Sequence, residues 1–466
     1  MKTEATQKEN DSPRYEKIEF KEKFSYGLGD AATAIAGVTI TSFGMFYFTD
    51  IVGVSAALIG TILIFSRVFD AITNILMGYI VDRTSSKYGK ARSWVLWTMV
   101  PFALFTIILF SVPSSLSSTG SLIYIAIAYN LYFLAYTASN IPYGTLGTLI
   151  TQDPLQRSQL NIFRMVAYFV STLLISNITL PLVEFFGGEA SSWRTVVIIY
   201  SIVMVGMFFL TFYFTKERVT PSGDVETSQK NKMSLGKSIK LLLKNNYWLL
   251  LFLIMILAWG ILGLFQGVPV YYATYILGNS SFVGPLATFF NLPLIAGFFV
   301  TGLIVKKFGR RRIIIAGLII LIASSALMIV DPYSVILANI CTLLRGVGFA
   351  PIMGTAYAML ADVIDYGEWK NGVRNDGLSY SSGTFSTTVG SAVASSGVGW
   401  LLGLSGYISG GSAQPDGVYS MIQFMFIYLP LIISLLLIIL MLFYKLDNFH
   451  PEIVKDLRMR NGEKSN

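Results

Sequence analysis

Cysteine and histidine are almost missing from this chain of 466 residues, which contains one of each. Cys341 lies in an apolar run, so no intramolecular disulfide is possible and no redox compartment can be read from it. His450 sits in a polar stretch near the end of the sequence. These counts leave almost no room for a thiol enzyme, a Cys/His zinc site or a histidine general base, and only carboxylate chemistry survives. No nucleophile, ligand cluster or phosphate loop stands out either, so neither an enzyme nor a cofactor nor a resident metal is expected. Charge is also scarce, at 13% of residues against 54% hydrophobic, an apolar surplus larger than one soluble core can bury. The short alternating segments of a membrane β-barrel are absent. The stretch Met1 to Glu22 lacks the apolar centre and small-residue cleavage site of a signal peptide.

What the chain has instead is long apolar runs. Each is long enough to cross a hydrocarbon layer about 30 Å thick as a helix that satisfies its own backbone. The runs predict twelve spans near 25–48, 55–82, 93–112, 121–150, 161–183, 195–214, 247–276, 283–305, 313–330, 334–361, 377–404 and 418–444. The net charge of +8 is explained by where the cations fall. Of 34 Lys and Arg, 31 lie in the N-terminus, every second loop and the C-terminus, counting Arg164 at the start of the fifth span with the loop before it; the opposite loops hold only Arg194, and Arg67 and Arg345 fall deeper within spans. The positive-inside rule then puts both termini in the cytoplasm of a multi-pass protein of the cell (inner) membrane. Basicity is thus accounted for by topology, and the lipid bilayer rather than nucleic acid is the expected surroundings.

The longest polar interruption, 216–246, divides the spans six and six. The expected organisation is a cytoplasmic tail 1–22, a six-helix bundle 23–215, a linker loop 216–246, a second bundle 247–446 and a tail 447–466. The linker reads as a tether or as a regulatory segment. A weak repeat supports the division. Gly78-Tyr-Ile-Val-Asp82-Arg83 leads to Lys87, Gly89, Lys90 and Arg92, and Gly302-Leu-Ile-Val-Lys306-Lys307 leads to Gly309, Arg310, Arg311 and Arg312. This pattern resembles the loop signature of the major facilitator superfamily, whose halves are parallel six-helix repeats.

Ionisable groups inside a membrane are costly, so each is a functional candidate. Arg67 and Asp70 share a face of the second span, continued by Thr73, Asn74 and Met77. A carboxylate among hydroxyl and amide oxygens suits a proton or a small hard cation, whereas the same spacing also fits a self-neutralising Arg67–Asp70 pair. Asp30 lies one to two turns inside the first span, where a structural or gating role is expected. Arg345 falls close to the membrane midplane, its partner either a carboxylate on another helix or an anionic substrate. Tyr136, Tyr143, Tyr271, Tyr272 and Tyr380 combine an apolar face with a hydroxyl, as a sugar site requires, although most tyrosines here pack or sit at the interface.

Several stretches together resemble the glycoside-pentoside-hexuronide:cation symporter family. They are Phe24-Ser-Tyr-Gly-Leu-Gly-Asp30, Tyr47-Phe-Thr-Asp50, Arg67-Val-Phe-Asp70-Ala, Asn140-Ile-Pro-Tyr143-Gly, Tyr271-Tyr-Ala-Thr-Tyr275 and Ala361-Asp-Val-Ile-Asp365-Tyr-Gly-Glu368-Trp-Lys370. The resemblance covers Lys23 to Leu446 and implies uptake of a sugar or glycoside coupled to H+, Na+ or Li+. It further implies a cation site at Asp70, with Thr73 and Asn74 in place of an amide and a second acid, and with Thr137 from the fourth span. In the family's melibiose-type pattern, acidic sugar-binding positions correspond to Ala34 and Asn140, an aromatic to Gly144 and a lysine to Thr388, while Arg164 keeps its arginine. Asn140-Ile-Pro-Tyr-Gly looks more like the glucuronide and pentoside members.

The expected function is therefore import of a pentoside, β-glycoside or hexuronide by cation symport, with H+ favoured over Na+ because one carboxylate remains at the cation site. Substrate contacts are expected from Asn140, Tyr143, Arg164, Tyr271, Tyr272, Arg345 and Thr388. Asp82, Arg83, Asp362, Asp365, Glu368, Lys370 and Arg374 are placed to form breakable pairs that close the inner side, or merely to pair at the surface. The alternative is a drug or metabolite exporter on the same fold. No obligatory protein partner is implied.

Overall fold

The computed structural model describes residues 17–218, 240–372, 376–411 and 413–460. The chain forms long helices joined by short turns. The first half contains α1 (Phe20–Val38, prolonged by π turns at Thr39–Gly44 and Tyr47–Ile51), α2 (Ala56–Arg83), α3 (Arg92–Leu109), α4 (Ser118–Ile150), α5 (Pro154–Phe185) and α6 (Ala190–Phe214). In the second half are α7 (Asn246–Gly267, continued through Pro269–Tyr271 and a π turn at Tyr272–Ile276), α8 (Val283–Phe308), α9 (Arg310–Met328), α10 (Val335–Asn371) and α11 (Asp376–Leu404). It closes with α12 (Asp416–Gln423, a π turn at Phe424–Tyr428, and Leu429–Phe443) and a shorter helix, α13 (Leu446–Arg460). Ten helices among the described residues are long and apolar enough to cross a membrane. The first and eleventh expected spans fall on α1 and α11, which have the length but carry more polar residues.

Polar residues set the helix starts. Ser117 caps α4 by accepting from Gly120 N at 3.2 Å, and Asn245 and Ser334 do the same for α7 and α10. Asp153 accepts from Leu155 N at 2.9 Å, with Pro154 in the first turn of α5.

The weak sequence repeat has a physical counterpart at the starts of α3 and α9, on the face that carries the basic loops. Glu217, just beyond α6, accepts from the backbone N–H of Lys90, Ala91 and Arg92 at 2.8, 2.8 and 2.7 Å, and Arg92 Nε donates to Phe212 O. Asp447, just beyond α12, accepts from Arg311 N at 2.8 Å, and Arg311 Nε donates to Met441 O. A carboxylate after the sixth helix of each half thus holds the positive end of that half's third helix.

A second repeat lies at the opposite, far face. Tyr47-Phe-Thr-Asp-Ile-Val-Gly53-Val-Ser55 ends α1, and Tyr272-Ala-Thr-Tyr-Ile-Leu-Gly278-Asn-Ser280 ends α7. Each makes a π turn closed by the same bond, Val52 N to Tyr47 O and Leu277 N to Tyr272 O, both 3.0 Å. Each then reverses through a glycine in the left-handed region, Gly53 at φ 81° and Gly278 at φ 74°, which explains the shared glycine.

The two halves meet chiefly towards the far face. Asn177 Nδ2 of α5 donates to Thr288 Oγ1 of α8 at 2.8 Å, and Ser409 Oγ donates to Val54 O at 2.8 Å. Between α2 and α11 the backbones come very close. A Cβ at Gly60 would lie 2.6 Å from Ser396 O, one at Gly399 2.5 Å from Ala56 O, and one at Gly403 2.6 Å from Ala57 Cβ. Below this seam a central cavity opens between α1, α2 and α4 on one side and α7 and α11 on the other.

Candidate functional site

Asp70 is buried on α2 against α4. Its Oδ1 accepts from Thr137 Oγ1 at 2.8 Å and from Asn74 Nδ2 at 3.0 Å, and Arg67 Nη1 stands 3.9 Å from Oδ2. Thr73 and Asn74 also donate to the backbone oxygen of Asp70, at 2.9 and 2.7 Å. Of the expected cation-site residues, Thr73 thus bonds to the Asp70 backbone, while Asn74 and Thr137 meet the Asp70 carboxylate. Its side-chain neighbours donate hydrogen bonds to it, an arrangement suited to an ionised carboxylate that takes up a proton. Burial makes the charge costly, and those donors offset part of that cost.

Arg67 connects this carboxylate to the cavity. Its guanidinium lies 4.6 Å from the Phe133 ring, its Nε is buried without a hydrogen-bond partner among the described residues, and the side chain lines the cavity together with Thr41, Tyr129, Gln266, Ser391 and Ser395. Among the described lining residues Arg67 carries the charge and the others supply hydroxyl and amide groups. Sequence reading singled out Arg67 but not Thr41, Tyr129, Gln266, Ser391 or Ser395. The i, i+4 spacing of Ser391 and Ser395, which puts both on one face of the helix, is the signal that would have flagged α11.

The residues expected to hold substrate fall into separate places. Arg164 makes a two-pronged pair with Asp30, Nε to Oδ2 at 2.6 Å and Nη2 to Oδ1 at 3.1 Å. Tyr143 O–H donates to Tyr26 O at 2.6 Å and accepts from Asp30 N at 3.2 Å, which ties α1 to α4. Asn140 Nδ2 donates to the Tyr136 hydroxyl at 3.3 Å. Thr388 is half-buried on α11 and donates to Thr384 O. Tyr271 is fully buried near the far face beside Thr49, with the hydroxyls 2.9 Å apart. Tyr272 donates to Pro332 O and stacks on Phe426 at 3.9 Å between ring centroids.

Arg345 is fully buried on α10, and among the described residues it bonds to a backbone carbonyl and not to a carboxylate. Nη2 donates to Phe426 O at 2.8 Å, within the π turn of α12, and the guanidinium lies over Phe426 and Phe265 at 4.4 and 5.2 Å. A π turn disturbs the regular carbonyl pattern of a helix, and this cation takes up one of those carbonyls.

Of the expected gating charges, Asp362 pairs with Arg310, and His450 Nε2 lies 3.5 Å from Asp362 and 3.2 Å from Asp365. These contacts join α10 to α9 and α13 within the second half. Arg83 lies over the Tyr79 ring at 4.2 Å, and Glu368 and Lys370 sit on the last turns of α10. Arg374 and the side chains of Asp82 and Tyr380 lie outside the described residues.

Comparison with known proteins places these features in context. Residues 25–448 match the family described as MFS/sugar transport protein. The chain is 30% identical over 458 residues to an isoprimeverose transporter of Lactiplantibacillus pentosus, covering 96% of this chain and 93% of the relative. It is 32% identical to the inner membrane symporter YicJ of Escherichia coli (strain K12), covering 90% of each. In three dimensions it resembles an inward-facing, unoccupied bacterial homologue of the human lysosomal transporter Spinster, with a TM-score of 0.67, 12% identity, and coverage of 94% of this chain and 99% of the other.

Proposed function

The chain belongs to the MFS/sugar transport protein family, and from that premise we propose that it imports a sugar or glycoside by proton symport, with Asp70 as the proton carrier. It is a membrane transporter and not an enzyme. The position of Arg67 carries the reading. One guanidinium faces both the Asp70 carboxylate and the cavity, so the two ligands share a side chain. While Asp70 is ionised, it draws Arg67 towards itself. Once Asp70 is protonated, Arg67 is free to donate to ring hydroxyls or to a carboxylate on the substrate, which it can grip in two-pronged fashion. Proton binding then raises sugar affinity and sugar binding raises proton affinity by the same factor. The substrate class that fits is a pentoside, β-glycoside or hexuronide, held also by Thr41, Gln266, Ser391 and Ser395.

With the basic loops in the cytoplasm, the far face is the outside, and its dense contacts make this an inward-facing state. The two six-helix bundles, 23–215 and 247–446, then rock about the central site. A sodium ion would need several oxygen ligands and compensating charge, whereas Asp70 is one carboxylate ringed by donors. Purified protein in proteoliposomes, with pH and sodium gradients imposed separately, tests this. Sugar-stimulated proton uptake is expected. Uptake driven by sodium alone without proton movement rejects the proton assignment. Absence of counterflow for pentosides, β-glycosides and hexuronides alike rejects the sugar reading.

A further inference from the structure

A second carboxylate, outside the cation site, occupies the far-face closure. Asp50, half-buried at the end of α1, accepts at Oδ1 from the hydroxyls of Tyr275 and Tyr407, the latter at 2.6 Å, and at Oδ2 from Thr49 Oγ1 at 2.6 Å. The Tyr275 and Tyr407 hydroxyls lie 3.1 Å apart, and Thr49 and Tyr271 are joined at 2.9 Å. The rings of Tyr271 and Tyr275 meet Tyr407 edge-on at 5.9 and 6.0 Å. Among the described residues Asp50 has hydroxyl partners and no cation. Two of these partners come from the other half of the chain, one from the end of α7 and one from the turn after α11.

Asp50 and Tyr275 are the same position of the far-face repeat, 225 residues apart, each the fourth residue of Tyr-x-Thr-x-Ile. Position for position, the two halves present an acceptor and a donor to each other across their pseudo-twofold axis. We infer that Asp50, Tyr275 and Tyr407 form the outer gate, a hydroxyl-to-carboxylate clasp that must come apart each time the far face opens. The inference rests on the transporter reading and adds the element that sets the balance between outward- and inward-facing states. Hydroxyl partners suit this task. Breaking a buried ion pair with arginine leaves an uncompensated charge at high cost, whereas the two tyrosine hydroxyls are exchanged for water as the mouth opens.

The test reads conformation rather than transport. Ser395→Cys in a Cys341→Ala background places a thiol in the central cavity, and its alkylation is timed with an impermeant maleimide added to the far face of sealed vesicles. Asp50→Asn, Tyr275→Phe and Tyr407→Phe are each expected to raise the rate, up to about tenfold to a hundredfold for a lost hydrogen bond to a charged group. The exchange Asp50→Tyr with Tyr275→Asp restores an acid and a phenol at the clasp and is expected to bring the rate back towards that of the parent. Unchanged rates in both Asp50→Asn and Tyr407→Phe overturn the gate. A folded exchange variant as reactive as the single variants overturns the pairing. No sugar enters the assay, so a failed sugar reading leaves this result standing, and a failed gate leaves sugar transport untouched.

Discussion

At the scale of single residues, the cation site depends on one interhelical bond, Thr137 to Asp70. Thr137→Val keeps the shape and removes the donor, which should cost about 1.5–3 kcal/mol of carboxylate stabilisation. Proton-coupled uptake is expected to weaken, and normal coupling in well-expressed Thr137→Val protein would show the bond to be dispensable. Asp70→Asn goes further and should abolish uphill accumulation while sugar binding or exchange persists. Normal accumulation in well-expressed Asp70→Asn protein would remove Asp70 from the mechanism. Much of this was legible in sequence, because Arg67, Asp70, Thr73 and Asn74 lie on one helix and their spacing alone places them on one face. Thr137 was reached through resemblance, since no periodicity links α2 to α4. Arg345 shows the limit of such reading. An isolated arginine in an apolar run suggests a carboxylate on another helix, but the protein group it bonds to among the described residues is a backbone carbonyl made available by a π turn, which has no sequence signature of its own.

At the scale of elements, helix ends explain why the basic loops look alike. Glu217 satisfies three N–H groups leading into α3, those of Lys90, Ala91 and Arg92, where water or another side chain must otherwise serve. Glu217→Ala is expected to destabilise the protein by about 1–2 kcal/mol, read as a lower thermal midpoint in detergent. Asp447→Ala, where one such bond is made, should have a smaller effect. Equal effects would show that the cap of α3 is redundant. The basic residues of this repeat were visible in the sequence, but the acids that match them were not, because each lies far along the chain from the helix it caps. The far-face repeat went unread for another reason. Tyr-Phe-Thr-Asp and Tyr-Ala-Thr-Tyr differ at the very position where their side chains meet.

At the scale of the whole molecule, alternation of apolar runs with basic loops was enough to give the architecture, since length, hydropathy and charge are each local quantities. Where the cavity sits was not, because its walls combine unremarkable serines, glycines and a glutamine from helices distant in sequence. The seam of α2 against α11 has a practical consequence. Backbones approach closely through Gly60, Gly399 and Gly403, beside a side-chain bond from Trp400 Nε1 to Thr61 Oγ1 at 3.1 Å, so a single added methyl group would act there as a wedge. Gly399→Ala forces a carbon against the Ala56 carbonyl, and Gly60→Ala does so against the Ser396 carbonyl. Both variants are expected to stay propped open at the far face and to show faster labelling of a cavity thiol from that side. A protein held in this way would be a ready immunogen or selection target for binders that recognise the outward-open shape and ignore the resting one.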